Sequence, residues 1–447
     1  MDAMHGQDSP RATVSLTTRQ EKTRLRPAGS RRHAVFTLRA NLEQSERTER
    51  TERTVTPVER RPLALALTLD RSGSMSGEKL RMAKQVAISL VDGLTERDEI
   101  VVVAFDSSID VVQERARVTP EIKAHIRQAL EQIEARSSTA LHEAWLTSCN
   151  MLASDQLQEG RLARCYLLTD GQANVGETDV ETIASQAAGI REKAGVSTSA
   201  FGMGDDYNEL LLGPWAVAGG GQFHDLRNAA DLAGAFLGER DDLRMVVALH
   251  TRLEVEMTEG MSAETISAFW RANGDRYAQQ WRLDIGDLLN GEERRVVVRF
   301  SFPKADKAYS YTARARVVWT DDRGEQASGW QEITFISGSD QDCADEPRDG
   351  EAMRWVGLAH ADRAKRQALE LAARRDTDLA LLRIQETIVR IGAYANDDRE
   401  LLAAIDELRR LSDTIRERKL TSRVSKDTYY TAQTRSRSQK DFRTGQP

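Results

Sequence analysis

Residues 63–74 read LALALTLDRSGS, and this stretch decides the fold of the region around it. Residues 63–69 are apolar or threonine, which is typical of a strand buried on both faces of a parallel sheet. The strand runs into Asp70, Ser72 and Ser74, one carboxylate and two hydroxyls at alternate positions. Ligands of open α/β sheets bind at the carboxyl ends of strands, and hard cations prefer oxygen. The stretch therefore predicts a site for a cation such as Mg²⁺.

Two other kinds of site are excluded by the spacing after this strand. A P-loop starting at Gly73 would need its second glycine at the position of Glu78. A hydrolase elbow between Gly73 and Gly77 would need a serine where Met75 stands. The remaining alternative to a cation site is an ordinary strand–turn–helix with a serine-rich N-cap.

Composition limits the class of protein. The chain has 447 residues, a length that favours two or three domains, and its net charge of −7 gives no general basis for nucleic-acid binding. Its three cysteines are too few for a disulfide framework and indicate a reducing compartment. No apolar run reaches the roughly 18 residues of a membrane span, and the N-terminus lacks a secretory apolar segment. We therefore expect a cytoplasmic protein without a membrane span.

The periodicity of apolar residues changes twice along the chain. Residues 61–240 alternate buried strands with helices, which predicts an α/β domain with a doubly wound, mainly parallel sheet. Residues 241–340 alternate with a period of two between Gly- and Asp-rich turns, which predicts an antiparallel β-sandwich. Residues 33–42 form a strand with no helix after it. We therefore expect residues 1–60 to join the sandwich, with the α/β domain inserted between its parts.

The remaining segments are less regular. Residues 46–54 read ERT three times and are expected to be a solvated loop or linker. Residues 350–420 predict about three amphipathic helices, which either form a small bundle packed on itself or on the sandwich, or serve as a partner surface. Residues 421–447 are basic, rich in Ser and Thr, and without periodicity, which predicts a disordered tail.

Two more loops are expected beside Asp70. Thr139 lies in a polar loop before a predicted helix, and Asp170 follows the buried strand at residues 163–169. The segments D-R-S-G-S (70–74), S-S-T (137–139) and T-D-G-Q-A-N-V-G (169–176) resemble, in this order, the von Willebrand factor A domain and its metal-ion-dependent adhesion site. The resemblance covers residues 61–240. Within the family, the sequence pattern is most similar to that of soluble bacterial members and of the inter-alpha-trypsin-inhibitor heavy-chain group.

The resemblance implies a role for five residues. Ser72, Ser74 and Thr139 would give hydroxyl ligands to Mg²⁺ or Mn²⁺, and Asp70 and Asp170 would act largely through water. With few direct carboxylates the ion stays strongly positive, and an acidic side chain of a partner protein would complete its six oxygen ligands.

Other polar residues near these loops have an ordinary alternative. His142 follows Thr139 and could line the site, but a place on the helix surface is the preferred interpretation. Asp106, Asp205 and Asp206 follow strand ends and are interpreted as solvated turn residues. No histidine pair has zinc spacing.

Two function classes remain. The first is a non-enzymatic binding module or scaffold that recognises an acidic residue of a partner protein through the metal. The alternative is an accessory subunit of a metal-dependent enzyme or of an ATPase or chelatase complex. Hydrolysis needs a general base or a second metal near the first, and the sequence offers neither. We therefore expect the binding module.

Overall fold

The computed structural model describes most of the chain. The described residues are 11–43, 61–136, 138–153, 161–171, 176–227, 231, 234–235, 238, 242, 245–267, 269–270, 272–273, 279–304 and 310–437. The ERT repeat at 46–54 lies outside them. Contacts between residues divide the chain into two units. The first comprises residues 1–60, 242–264 and 272–352, and the second comprises 61–241, 265–271 and 353–447.

Strands make up most of the first unit and the central sheet of the second. They are β1 (Arg11–Gln20), β2 (Arg24–Leu25), β3 (Ser30–Glu43), β4 (Leu63–Asp70), β5 (Glu99–Phe105), β6 (Ile109–Arg117), β7 (Leu162–Thr169), β8 (Val196–Met203), β9 (Gly220–Leu226), β10 (Val246–Met257), β11 (Ser262–Thr265), β12 (Ala272–Asn273), β13 (Gln280–Leu289), β14 (Glu293–Phe302), β15 (Ser310–Asp321), β16 (Gly324–Ala327) and β17 (Gln331–Ser337).

Helices lie between the strands of the second unit and near the end of the chain. They are α1 (Glu78–Gly93), α2 (Pro120–Gln132), α3 (Leu141–Leu152), α4 (Val180–Ala194), α5 (Glu209–Ala218), α6 (Asp340–Asp345), α7 (Gly350–Ala373), α8 (Thr377–Gly392), α9 (Arg399–Arg416) and α10 (Ser422–Ser436).

The first unit contains two mainly antiparallel sheets. One has the strand order β1-β3-β14-β11, and the other runs β12-β13-β10-β15-β17-β2 with β16 beside β15. The sheets pack face to face, since the ring of Phe300 on β14 lies 5.7 Å from that of Phe335 on β17. The lone N-terminal strand pairs here, with Phe36 of β3 opposite Val296 of β14. Its alternating apolar residues explain this place, because one face of β3 is buried between the sheets.

The second unit contains a six-stranded sheet in the order β6-β5-β4-β7-β8-β9. All pairings are parallel except that of β6, the edge strand. Every residue of β4 is buried, as its continuous apolar run predicts. The chain passes first to β5 and β6 on one side of β4 and later to β7, β8 and β9 on the other. The carboxyl end of β4 is therefore the switch point at which open α/β sheets bind ligands. The expected fold class, α/β with antiparallel sheets and C-terminal helices, is confirmed.

The tail does not match its sequence prediction. Residues 421–447 are expected to be disordered, but residues 422–436 form the helix α10. Tyr429 and Tyr430 of this helix are buried, and the ring of Tyr429 lies 5.2 Å from that of Phe269 and 6.2 Å from that of Phe223 on β9. The helix is held by these contacts rather than by an apolar periodicity of its own, because most of its other residues are polar.

Candidate metal centre

Asp70 is the fixed point of the site. It ends β4 and is fully buried. The backbone N–H of Ser72 donates to its Oδ1 at 2.8 Å, and the hydroxyl of Thr169 donates to its Oδ2 at 2.5 Å. Because both oxygens accept a hydrogen bond, the carboxylate is locked in orientation between β4 and β7.

The environment of Asp70 is unfavourable to its charge. Burial raises the pKa of this carboxyl to about 6, although the hydrogen bonds from Thr169 and Ser72 lower it, and the negative charge of Asp170 raises it further. A bound divalent cation would favour the ionised form. Burial therefore outweighs the hydrogen bonds that stabilise the ionised form of Asp70.

The two serine hydroxyls lie side by side after β4. Gly73–Met75 form one turn of 3₁₀-helix, in which the N–H of Met75 donates to the carbonyl of Ser72 at 3.0 Å. This turn brings the Oγ atoms of Ser72 and Ser74 to 3.1 Å from each other. Ser72 is buried and Ser74 is exposed, so the pair extends from the interior to the rim of the site.

Asp170 follows β7 and is also fully buried. The N–H of Gly171 donates to the hydroxyl of Thr169 at 2.8 Å, so Thr169 links the backbone after Asp170 to the carboxylate of Asp70. The Oδ2 of Asp170 accepts from Nζ of Lys79 at 3.1 Å. Its Oδ1 is buried and has no hydrogen-bond partner within the described residues.

This orphaned oxygen tests whether the residues fit a metal ion. A buried carboxylate oxygen without a partner is costly, so a cation or its bound water beside Asp170 would satisfy it. Within the described part of the chain, no group of three or more His, Cys, Asp and Glu side chains is placed to hold a metal. A metal here would therefore depend on two carboxylates, the hydroxyls and water. That donor set suits Mg²⁺ and Mn²⁺, which accept all-oxygen ligands and retain waters.

Thr139 belongs to the third loop at this edge. Its loop is tied at both ends, since the N–H of Arg136 donates to the carbonyl of Arg71 at 2.8 Å and the N–H of Ala140 donates to that of Asp106 at 2.7 Å. Thr139 itself is buried. Ser137 and residues 172–175 of the predicted motifs lie outside the described residues.

The structure places Asp70, Ser72 and Ser74 together. The N–H of Ser72 donates to Asp70, and the hydroxyls of Ser72 and Ser74 lie beside each other. The structure links Asp170 to Asp70 through Thr169, and it anchors the loop of Thr139 to residues beside Asp70. Two further residues of the site, Thr169 and Lys79, have positions in the sequence that place them near this edge of the sheet. Thr169 stands at a strand end directly before Asp170, and Lys79 is the second residue of α1.

The sequence-based interpretations of two residues near the site, Asp106 and His142, are wrong. Asp106 is not a solvated turn residue but is buried, because Arg71 enters the interior to pair with it at 3.0 Å. His142 is not exposed on a helix surface but is buried, because side chains of α4 and α5 contact it. Its Nε2 contacts the side-chain oxygen of Gln186, and its ring lies 6.4 Å from that of Trp215.

Comparison with known families agrees with this geometry. Residues 65–232 match the model of the von Willebrand factor type A domain, which is the domain that the three loop segments resemble in sequence. No helix in the described ranges is long and apolar enough to cross a membrane.

Relatives of two kinds share this domain. An uncharacterized protein of Synechocystis, sll0103, is 32% identical over 254 residues, which are 54% of this chain and 57% of that protein. Human inter-alpha-trypsin inhibitor heavy chain H4 is 29% identical over 181 residues, which are 38% of this chain and 19% of that protein. The predicted resemblance to bacterial members and to the heavy-chain group is confirmed. The chain spans at most 57% of the length of these two relatives.

Solved structures share the fold over most of the chain. A von Willebrand factor type A protein from Catenulispora acidiphila superposes with a TM-score of 0.64 at 19% identity, covering 87% of this chain and 90% of that one. The ArnB paralog VWA2 from Sulfolobus acidocaldarius gives a TM-score of 0.58 at 16% identity, covering 96% and 98%. At these identities the likeness concerns the fold alone.

Proposed function

We propose that this chain is a binding module that holds one divalent cation, Mg²⁺ or Mn²⁺, and uses it to recognise an acidic residue of a partner protein. The ligands would be Asp70, Ser72, Ser74, Thr139 and Asp170. The observation that carries the proposal is the buried Oδ1 of Asp170, which lacks a partner within the described residues and lies at the switch point of the sheet.

The donor set supports a role in binding rather than in stiffening loops. A purely structural ion would favour more direct carboxylates and fewer hydroxyls. Here the hydroxyl of Ser74 is exposed at the rim, so an ion bound to it would lie near solvent. A carboxylate from another protein is the natural ligand for the remaining position, because Mg²⁺ takes six oxygens and prefers charged ones.

We further propose that the chain is not an enzyme. Metal-assisted hydrolysis needs a general base or a second metal near the first. Asp106 is a carboxylate whose backbone is tied to the loop of Thr139, but Arg71 and Ser108 hold its side chain. Such a paired carboxylate is a poor base. A cytoplasmic location is supported by the free, buried state of Cys149, Cys165 and Cys343.

The proposal is tested by capture of partner proteins on immobilised wild-type chain and on Thr139→Ala and Asp70→Ala. We expect proteins that bind wild type in Mg²⁺, that are released by a chelator, and that neither variant retains. Ser76→Ala is the matched control, because Ser76 is an exposed serine of the same turn outside the ligand set. Circular dichroism verifies folding. If all variants capture the same proteins with or without chelator, the metal-dependent function is wrong.

A further inference from the structure

Lys79 places a positively charged side chain beside Asp170, one of the proposed metal ligands. It is the second residue of α1, and its Nζ lies 3.1 Å from Oδ2 of Asp170 and 3.8 Å from Oδ2 of Asp206. The side chain of Asp170 is fully buried, whereas that of Asp206 is 69% exposed. Because water screens the exposed pair far more, Asp170 is the energetically important partner of Lys79.

The loop after β8 leaves room for this lysine. Gly204 has a φ of +80°, a backbone conformation that favours glycine. A Cβ at this position would lie 2.8 Å from Cε of Lys79, which is closer than side chains tolerate. The stem of Lys79 therefore runs directly over the Gly204 backbone to reach Asp170.

The charges at the site decide what this lysine does. In their ionised forms the carboxylates of Asp70 and Asp170 carry two negative charges, and the ammonium of Lys79 beside Asp170 compensates one of them. A divalent ion would then leave the loaded site with one net positive charge, which one partner carboxylate neutralises. Without Lys79 the loaded site would be neutral before the carboxylate arrives.

We propose that Lys79 is a specificity-determining residue of this site. It occupies Oδ2 of Asp170 and leaves Oδ1 for the cation or its bound water. It also keeps the loaded site positive, so that the site selects an anionic carboxylate over a neutral oxygen ligand. Lys79 thus weakens the affinity for the metal and strengthens the affinity for the carboxylate. The inference rests on the proposed function, whose metal site it refines.

The opposite signs of these two effects give the test. In calorimetry with Mn²⁺, Lys79→Met is expected to bind the ion about tenfold more tightly than wild type, because a repelling charge near the ion is gone. Lys79→Arg keeps the charge and should stay within about threefold of wild type. Lys84→Met is the matched control, since Lys84 is on the same helix but bonds to the carbonyls of Glu131 and Ile133.

The carboxylate arm uses acetate as the probe. Acetate is titrated into Mn²⁺-loaded protein at constant ionic strength, and displacement of metal-bound water is followed by water-proton relaxation. Lys79→Met should need about fivefold more acetate than wild type. Acetamide, the neutral analogue, should show no such difference. Lys79→Gln repeats both arms if Lys79→Met does not fold.

The outcomes separate this inference from the function on which it rests. If wild type does not bind Mn²⁺, the proposed metal site and the role of Lys79 both fail. If wild type binds Mn²⁺ but Lys79→Met binds it equally or more weakly, the metal site stands and the role of Lys79 is wrong. Unchanged acetate binding in Lys79→Met overturns the selection of carboxylates.

Discussion

Nε of Arg71 lies 3.0 Å from Oδ2 of Asp106, and the two side chains are 5% and 3% exposed. The pair joins the loop after β4 to the loop after β5. The same two residues accept, through their backbone carbonyls, the hydrogen bonds that anchor the loop of Thr139. One buried ion pair therefore braces all three of these segments at the edge where the metal is proposed to bind.

Removing one member of this pair should be costly. Asp106→Ala leaves the guanidinium of Arg71 buried without this partner, and we expect a loss of about 3–5 kcal/mol in the free energy of unfolding. Asp110→Ala is the matched control, because Asp110 also pairs with Arg71 but its side chain is 48% exposed. It should cost less than about 1 kcal/mol. Urea denaturation measures both, and equal losses would contradict the bracing role.

The contribution of Asp106 should depend on pH. Burial raises the pKa of this carboxyl, but hydrogen bonds from Ser108 and the charge of Arg71 outweigh burial and hold the pKa below its ordinary value of 3.8. A depressed pKa stabilises the fold above the ordinary value, and this stability is lost as the pH falls below it. The difference in stability between wild type and Asp106→Asn should therefore be constant near pH 7 and shrink below pH 3.8. A difference that grows on acidification would show this sign to be wrong.

Thr169 should matter for the metal although it is not a proposed ligand. Its hydroxyl donates to Oδ2 of Asp70 and accepts from the N–H of Gly171. Thr169→Val keeps the shape and removes the hydroxyl, so Asp70 loses a hydrogen bond that orients it. We expect Mn²⁺ affinity to fall by about 10–100-fold, the usual effect of losing such support. Thr169→Ser keeps the hydroxyl and should retain most of the affinity. Equal affinities in calorimetry would exclude this role.

The helix α10 should be needed for stability of the α/β domain. From the sequence we expect residues 61–240 to fold alone, because their sheet has all its strands. The structure favours a different outcome, since Tyr429 is buried against Phe223 of β9 and Nζ of Lys426 lies 3.2 Å from Glu209 of α5. Tyr429→Ala should lower the free energy of unfolding by about 3–5 kcal/mol.

Val424→Ala is the matched control for this helix, because Val424 is 37% exposed. Such a surface change should stay within about 0.5 kcal/mol of wild type. In thermal denaturation, a chain ending at residue 420 should be destabilised at least as much as Tyr429→Ala. If residues 61–240 alone unfold with the stability of the full chain, the sequence-based expectation is right and the contacts of α10 are dispensable.

The sequence predicts the site where its residues are close along the chain or end adjacent strands. Asp70, Ser72 and Ser74 follow one buried strand, so their spacing alone indicates that they belong together. Asp170 follows from the rule that parallel strands end at one edge. The bracing of Arg71 by Asp106 could not be predicted this way, because it joins two loops 35 residues apart and Arg71 looks like an ordinary turn residue.

The helix α10 could not be predicted from the sequence for a related reason. Its polar composition suggests disorder, yet Lys426 is buried in the folded chain. Lys426 is accommodated by Glu209, a partner more than 200 residues away. Buried polar residues that depend on distant partners leave no apolar period in the sequence, so the helix becomes visible only with its surroundings.

Calorimetric titration of Mn²⁺ into wild type and Asp70→Asn tests the metal site most directly. Asp70→Asn keeps the size of the side chain and removes the charge, so circular dichroism should show an unchanged fold. We predict that wild type binds one ion per chain and that Asp70→Asn binds none at the same concentrations. Equal binding by both chains, or no binding by wild type, would contradict a metal-dependent role for this site.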